Sequence, residues 1–102
     1  MNFVETYALQ DIAPGTSRPV RIGTTDIVLC NVEGNIHALE NSCLHAGASL
    51  NGGKLCGKVL ACPAHGWRYD VTTGALLVAP EKGIKTFPVR IADGKILLQL
   101  AA

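Results

Sequence analysis

The sequence predicts an all-β fold, an antiparallel β-sandwich or open barrel, and three observations carry that prediction. Short apolar runs recur along the 102 residues, and turn-forming residues such as glycine, proline and aspartate separate them. Two-residue turn signals, of which Asp93-Gly94 is the strongest, stand between apolar runs as they do in β-hairpins. No segment keeps apolar residues at helical spacing for more than a turn or two.

The individual strands follow from the same pattern, since each is an apolar run bounded by turn residues. Glu33-Gly34-Asn35 turns one strand into the next, and Asp93-Gly94 closes a hairpin near the end of the chain. Residues 59–61 lead directly into Cys62, and residues 67–70 follow shortly after it. The loop between these two strands is therefore predicted to sit at the tip of a hairpin. The predicted strands are residues 3–9, 20–22, 27–32, 36–39, 59–61, 67–70, 89–92 and 95–98.

Composition bounds the class of protein. A chain of 102 residues with 48% hydrophobic residues is expected to form a single domain over residues 1–102 with one modest core. Charged residues make up 17% and the net charge is +1, so nothing favours nucleic acid or an anionic membrane as a partner. No signal peptide and no apolar run of membrane-spanning length is visible, which leads us to expect a cytoplasmic protein.

Two short loops concentrate the metal-ligating residues. Cys43 and His45 form a CxH pair, and Cys62 and His65 form a CxxH pair, with 16 residues between His45 and Cys62. The whole chain has only four cysteines and three histidines, so four of these seven residues fall into one constellation. A metal site is the first interpretation.

The mixed Cys/His set suits either zinc or an iron–sulfur cluster. Zinc patterns usually pair like with like, Cys-Cys and then His-His or Cys-Cys. Here each loop is mixed, as expected if each loop donates one ligand to each iron of a Rieske 2Fe–2S centre. The iron–sulfur interpretation is favoured, and a zinc-stabilised binding module remains the alternative of a different class.

The two loops resemble a known family motif. Residues 43–47, CLHAG, and residues 62–70, CPAHGWRYD, resemble the cluster-binding motif of Rieske proteins, and residues 77–80, LVAP, match that family's proline loop over the cluster. The chain most resembles the ferredoxin components of bacterial aromatic-ring-hydroxylating dioxygenases, over nearly all of its length. The resemblance implies a Rieske-type sandwich or barrel with a small cluster-binding subdomain of two hairpin-tip loops, at about residues 41–80.

This resemblance also implies a cofactor, a function and partners. We expect one Rieske 2Fe–2S cluster, with Cys43 and Cys62 on the inner iron and His45 and His65 on the outer iron. The expected function is one-electron transfer from a flavin-dependent ferredoxin reductase to a terminal Rieske oxygenase, with no catalytic residues of its own. The small subunit of a nitrite reductase and an orphan Rieske carrier remain alternatives within electron transfer.

Three residues depart from the respiratory and photosynthetic branch of that family. Ala48 and Ala64 stand where that branch has two disulfide-bonded cysteines, and Trp67 stands where it has a serine that donates a hydrogen bond to a bridging sulfide. These differences imply a low-potential, ferredoxin-like protein.

Other residues near the motif keep two interpretations. Tyr69 is expected either in the core or as a hydrogen-bond donor to a ligand sulfur, and Trp67 either as a packing anchor or as an electron path. Cys30 and Cys56 belong to neither loop, and we expect both to be reduced and buried. His37 is expected to be an ordinary surface or packed residue.

Overall fold

Twelve β-strands and one short 3₁₀ turn make up the part of the chain that the computed structural model describes, residues 3–44 and 47–100. None of the helical structure in these residues is long and apolar enough to cross a membrane. The all-β prediction is confirmed. The strands are β1 (Phe3–Ala8), β2 (Ser17–Ile22), β3 (Thr25–Val32), β4 (Asn35–Glu40), β5 (Leu55–Cys56), β6 (Val59–Ala61), β7 (Arg68–Asp70), β8 (Ala75–Leu76), β9 (Ala79–Gly83), β10 (Thr86–Phe87), β11 (Val89–Ala92) and β12 (Lys95–Gln99), with the 3₁₀ turn at Leu9–Asp11.

The strands form three antiparallel sheets. Two of them have the strand orders β1-β12-β11 and β10-β4-β3-β2, and we call these two sheets together the base. The third has the order β5-β6-β7-β8-β9, so all of its strands are consecutive in sequence, and we call it the tip sheet. Both candidate ligand loops end at this sheet.

Strand β3 is buried on both faces, which explains its nearly continuous apolar sequence. Ile27 and Leu29 belong to a buried cluster with residues of β12, whereas Val28 and Cys30 belong to a second cluster with residues of the tip sheet. Because side chains alternate along a strand, each face of β3 supports a different neighbouring sheet. The sheet that contains β3 therefore supports the tip sheet through side chains in the core.

The second buried cluster carries the site. It contains Leu60, Tyr69 and Leu76 of the tip sheet together with Cys43 and Cys62, and all five side chains are at most 2% exposed. The same cluster also contains Val28 of the base. Because burying apolar surface contributes roughly 25 cal/mol per Å², this shared packing stabilises the contact between the tip sheet and the base. The two cysteines are part of this core rather than additions to its surface.

Both predicted two-residue turns are present. Glu33 and Asp93 have φ angles of 52° and 51°, and each is followed by a glycine that also has positive φ, the conformation of a type I′ hairpin turn. The short strands β5, β8, β9 and β10 were not predicted. Pro80, predicted in a loop, lies in β9 at an edge of the tip sheet, where the missing N–H of proline costs no ladder hydrogen bond.

Gly74 provides a test of how the chain returns from the tip sheet to the base. Its φ is +82°, and a Cβ atom added there would meet the carbonyl oxygen of Ile84. In addition, the Ile84 N–H donates a hydrogen bond to the Gly74 carbonyl at 2.9 Å. Gly15 is a matched control, since its φ is also +82° but no atom lies within 4 Å of an added Cβ.

We expect Gly15→Ala to lower the free energy of unfolding by about 1–2 kcal/mol through left-handed strain alone. Gly74→Ala should cost at least about twice as much, because the backbone at residue 84 must also move. Urea unfolding of both variants measures the difference. Equal losses would show that the contact between Gly74 and Ile84 does not constrain the fold.

Candidate metal centre

The second loop is the tip of the hairpin formed by β6 and β7, as predicted. Ala61 pairs with Arg68, and Cys62 follows Ala61 directly. The Cys62 N–H donates to the Trp67 carbonyl at 2.7 Å, and the Gly66 N–H donates to the Cys62 carbonyl at 2.8 Å. Gly66 has a φ of +75°, which only glycine adopts without strain. The loop is therefore closed by its own backbone hydrogen bonds.

The first loop differs from the predicted hairpin tip. It joins β4 of the base to β5 of the tip sheet, two strands that do not pair with each other. The Cys43 N–H donates to the Ala48 carbonyl at 2.7 Å, and the Gly47 N–H donates to the Cys43 carbonyl at 2.9 Å. Local backbone bonds, rather than a flanking hairpin, close this loop.

The two loops share one hydrogen-bonding scheme. In each, the cysteine N–H bonds the carbonyl five residues later, and a glycine four residues after the cysteine bonds back to the cysteine carbonyl. Gly47 and Gly66 both have positive φ, at 68° and 75°. The different histidine spacings, two and three residues after cysteine, hide this equivalence. The sequence signal that reveals it is the glycine at the fourth position after each cysteine.

Asn41 fixes the far side of the first loop and was not among the predicted site residues. Its Oδ1 accepts hydrogen bonds from the Leu50 N–H at 2.7 Å, the Asn51 N–H at 3.1 Å and the Ser49 hydroxyl at 3.2 Å. One side chain thus ties the entry of the loop to its exit. An Asx residue two positions before a ligand cysteine is the only signal that the sequence offers.

The thiol groups of Cys43 and Cys62 lie in the same buried cluster, with 1% and 2% of each residue exposed. His65 is exposed at the tip of the second loop. His45 and Ala46, named in the sequence analysis as a ligand and a neighbour, lie outside the described residues. Within the described residues, no group of three or more potential metal ligands is gathered at one point. The four-residue ligand set stays a prediction.

Tyr69 connects the two loops. It projects from β7 behind the second loop, and its hydroxyl lies 3.2 Å from Cys43 Sγ while accepting the Leu44 N–H at 2.9 Å. Burial, assisted by the contact with Cys43, raises the pKa of Tyr69 to about 12, so the hydroxyl keeps its proton at neutral pH. Either the Tyr69 hydroxyl or the Cys43 thiol can donate in this hydrogen bond, but only the hydroxyl has a proton to donate when Cys43 is a thiolate. Tyr69 is therefore both a core residue and a hydrogen-bond partner of the Cys43 sulfur.

The two remaining cysteines are free thiols in different environments. Cys30 is fully buried in the core, and this burial raises the pKa of its thiol to about 12. Cys56 is exposed, so the prediction that it is buried is wrong. It pairs with Val59 across a two-residue turn, on the face of the hairpin opposite the buried Leu60. That face points to solvent.

An apolar groove adjoins the first loop. It has a volume of about 640 Å³, and Leu44, Trp67 and Val78 lie along it. Leu44 is 46% exposed and Val78 is 79% exposed, whereas Trp67 packs partly against the buried cluster. The packing role predicted for Trp67 agrees with this contact. Val78 was not predicted to be the most exposed large apolar side chain here.

These residues suit a two-metal centre that is held by thiolates inside and imidazoles outside. Two thiols in the core would bind the inner metal, and the protonated Tyr69 hydroxyl beside Cys43 suits a charged sulfur ligand. An exposed imidazole at His65 would bind a metal at the surface. The donor chemistry of the described residues fits a Rieske cluster.

Comparisons with known proteins agree with the site. A family model described as the Rieske [2Fe-2S] domain matches residues 2–88. The ferredoxin component of the naphthalene 1,2-dioxygenase/salicylate 5-hydroxylase systems of a Ralstonia species is 38% identical over 100 residues, covering 97% of this chain and 96% of that protein. The ferredoxin component of the naphthalene 1,2-dioxygenase system of Pseudomonas putida is 37% identical over 102 residues, covering 99% and 98%.

Solved structures give the same result. A chain in the complex of reduced oxygenase and oxidised ferredoxin of carbazole 1,9a-dioxygenase is 33% identical, with a TM-score of 0.86 over 94% of this chain and 91% of that chain. The family match and the curated relatives indicate one Rieske-type 2Fe–2S cluster as cofactor. Both of these curated relatives are ferredoxin components, which transfer electrons and are not the catalytic subunits of their systems. The chain belongs to the Rieske [2Fe-2S] domain family.

Proposed function

We propose that this protein carries single electrons from a flavin-dependent ferredoxin reductase to a terminal oxygenase of the aromatic-ring dioxygenase type. The observation that supports it best is the pair of buried thiols, Cys43 and Cys62, beneath an exposed His65, in a chain whose relatives are ferredoxin components. A relative of similar length occurs in a complex with an oxygenase. Transfer of electrons from purified reductase through this protein to an oxygenase is the direct test.

The proposed ligands are Cys43 and Cys62 on the inner iron and His45 and His65 on the outer iron. When bound, such a cluster supplies one-electron redox chemistry. The chain's own contribution is to close both loops by backbone bonds, to keep the thiols away from water and to hold the Tyr69 hydroxyl beside Cys43. Exposure of His65 leaves one side of the site open to a partner.

The domain organisation and location belong to the same proposal. Residues 1–102 form one Rieske domain with the cluster-binding part at about residues 41–80, since one buried cluster contains both Val28 of the base and Leu60 of the tip sheet. A cytoplasmic location rests on the likeness to components of dioxygenase systems.

Replacing a proposed ligand should remove the cluster and much of the stability, because metal binding contributes to the free energy of folding. The variants are Cys43→Ser, Cys62→Ser, His45→Ala and His65→Ala, and the readouts are visible absorption and bound iron. Cys56→Ala is the matched control, an exposed cysteine outside both loops. A bleached Cys56→Ala protein would falsify the ligand assignment, and a colourless wild type that contains zinc would support a zinc module instead.

The midpoint potential should lie near the bottom of the Rieske range, at about −150 mV rather than about +300 mV. Donors to sulfur stabilise the additional negative charge of the reduced state, so a site with fewer donors has a lower potential. Trp67 offers no hydroxyl, and Ala48 and Ala64 cannot form a disulfide. Redox titration of the purified protein measures this value.

Tyr69→Phe should lower the potential further, since it removes the hydroxyl next to Cys43 Sγ. Tyr7→Phe is the control, because the Tyr7 hydroxyl donates to the Pro19 carbonyl in the base. A midpoint above about +100 mV contradicts the low-potential assignment. A Tyr69→Phe midpoint equal to that of Tyr7→Phe contradicts the donor role.

Leu44→Asp should slow electron delivery to the oxygenase by about tenfold while leaving the visible spectrum unchanged, because it places a charge in the apolar rim of the site. The proposed rim comprises Leu44, Ala46, Ala64, Trp67 and Pro80, of which Leu44, Ala64 and Pro80 are exposed. Ile91→Asp in the base is a matched control, with Ile91 43% exposed against 46% for Leu44. Equal rates for the two variants in stopped-flow experiments would place the contact surface elsewhere.

A further inference from the structure

Every cation of the base has a partner, and so has Lys85, which directly precedes β10. Arg21 and Lys95 form ion pairs with Asp26 and Glu5 at 3.8 and 3.3 Å. The other three cations each lie over an aromatic ring, at 4.3 to 5.8 Å from its centre, in the pairs Arg18 with Tyr7, Lys85 with Phe87 and Arg90 with Phe3. Positive charge in the base is thus engaged within the molecule.

Cations near the site behave differently. Residues 41–83 contain Lys54, Lys58, Arg68 and Lys82, and of these only Lys58 has an ion pair, to Asp70 at 3.4 Å. The side chains of the other three have no ion pair and no ring contact within residues 3–44 and 47–100. All three are exposed. Their charge is available to a partner.

Two of these cations lie in one row on the outer face of the tip sheet, with Ala61 between them. Ala61 pairs with Arg68, and the Ala61 N–H donates to the Lys54 carbonyl at 2.9 Å, so Lys54, Ala61 and Arg68 form one row across three neighbouring chain segments. The next row inward, Leu60 and Tyr69, is buried. Because side chains alternate, the row of Lys54 and Arg68 faces solvent.

This row lies directly beside the proposed ligands and ends in apolar residues. Ala61 precedes Cys62, and the Leu77 N–H donates to the Arg68 carbonyl at 2.9 Å, which extends the row to Leu77, with Val78 next to it in the turn between β8 and β9. Those two residues are 38% and 79% exposed. We call Lys54, Ala61, Arg68, Leu77 and Val78 together the basic strip. Lys82 lines the adjacent groove with Val78.

Charge is also distributed unevenly along the molecule. Residues 41–83 hold four bases and two acids, whereas the rest of the chain holds five bases and six acids, giving net charges of +2 and −1. Of the two acids in this segment, Asp70 is engaged by Lys58 and Thr72, and Glu81 lines the groove together with Lys82, so the net charge of +2 is left on Lys54 and Arg68. A protein polarised in this way presents its positive end first to a negative surface.

We propose that the basic strip binds an acidic patch with an apolar border on the terminal oxygenase, and so orients the site toward its electron acceptor. The inference rests on the proposed function and adds the chemistry of the partner's surface. Lys54 and Arg68 steer the approach, and Leu77 and Val78 exclude water after contact. Exposed charges change association rates more than they change affinity, so the effect belongs mainly to the encounter.

The test is stopped-flow electron transfer from the reduced protein to oxidised oxygenase, over ionic strengths from about 0.01 M to about 0.5 M, across which screening becomes strong. The wild-type rate should fall as salt rises. Arg68→Glu and Lys54→Glu should each be about tenfold slower at low salt, with a flattened salt dependence. Titration calorimetry of the oxidised proteins should show weaker binding, with a smaller loss than that of the rate.

Arg18→Glu is the matched control, because it makes the same change of charge on β2 of the base. It should stay close to the wild type, and the visible spectrum and midpoint of all variants should be unchanged. A variant that fails to bind iron is replaced by Arg68→Gln or Lys54→Gln, which should give about half the effect on the logarithm of the rate.

Each contrary result has a distinct meaning. Wild-type protein that takes electrons from the reductase but reduces the oxygenase at no salt concentration overturns the proposed function. Normal transfer that is insensitive to salt and to Arg68→Glu overturns the strip alone. Variants that slow only the reduction by the reductase also overturn the strip, since the oxygenase would then bind elsewhere. Variants that accelerate transfer to the oxygenase overturn it as well, since the patch on the oxygenase would then be basic.

Discussion

Placement of both ligand loops depends on the burial of Tyr69. Its ring is fully buried within the second cluster, and its hydroxyl reaches Cys43 and the Leu44 N–H of the opposite loop. A buried hydroxyl without partners costs about 1–3 kcal/mol, so these contacts favour one relative position of the loops. The strand that leaves the second loop thereby fixes the first, although the first loop starts from another sheet.

The double burial of β3 makes that arrangement possible. Val28 and Cys30 support the tip sheet while Ile27 and Leu29 pack into the base, so a shift of β3 by one residue would exchange the two sets and disturb the packing on both faces. The redox site is thus built on the most constrained part of the fold. Its exposed features, His65 and the groove near Leu44, are surface elements on a rigid support.

Sequence patterns predicted the long strands and the two hairpin turns, because these depend on local spacing and on glycine at defined positions, and the same spacing singled out the two loops that carry the proposed ligands. Short strands such as β8 and β10 escaped prediction, since two residues carry no periodicity. The sulfur contact of Tyr69 and the anchoring by Asn41 are long-range facts that side-chain identity alone does not determine. Exposure of Cys56 depends on which face of a two-residue strand turns outward.

That exposure makes the protein convenient to attach and to label. Cys30 is enclosed with a raised thiol pKa, and Cys43 and Cys62 lie in the core, so Cys56 is the one cysteine that a bulky reagent reaches. It ends β5 at the turn into β6, whereas the second loop begins at the other end of β6. A molecule tethered to a gold electrode through Cys56 would hold its ligand loops toward solution, and a spin label there would report distances without altering the site.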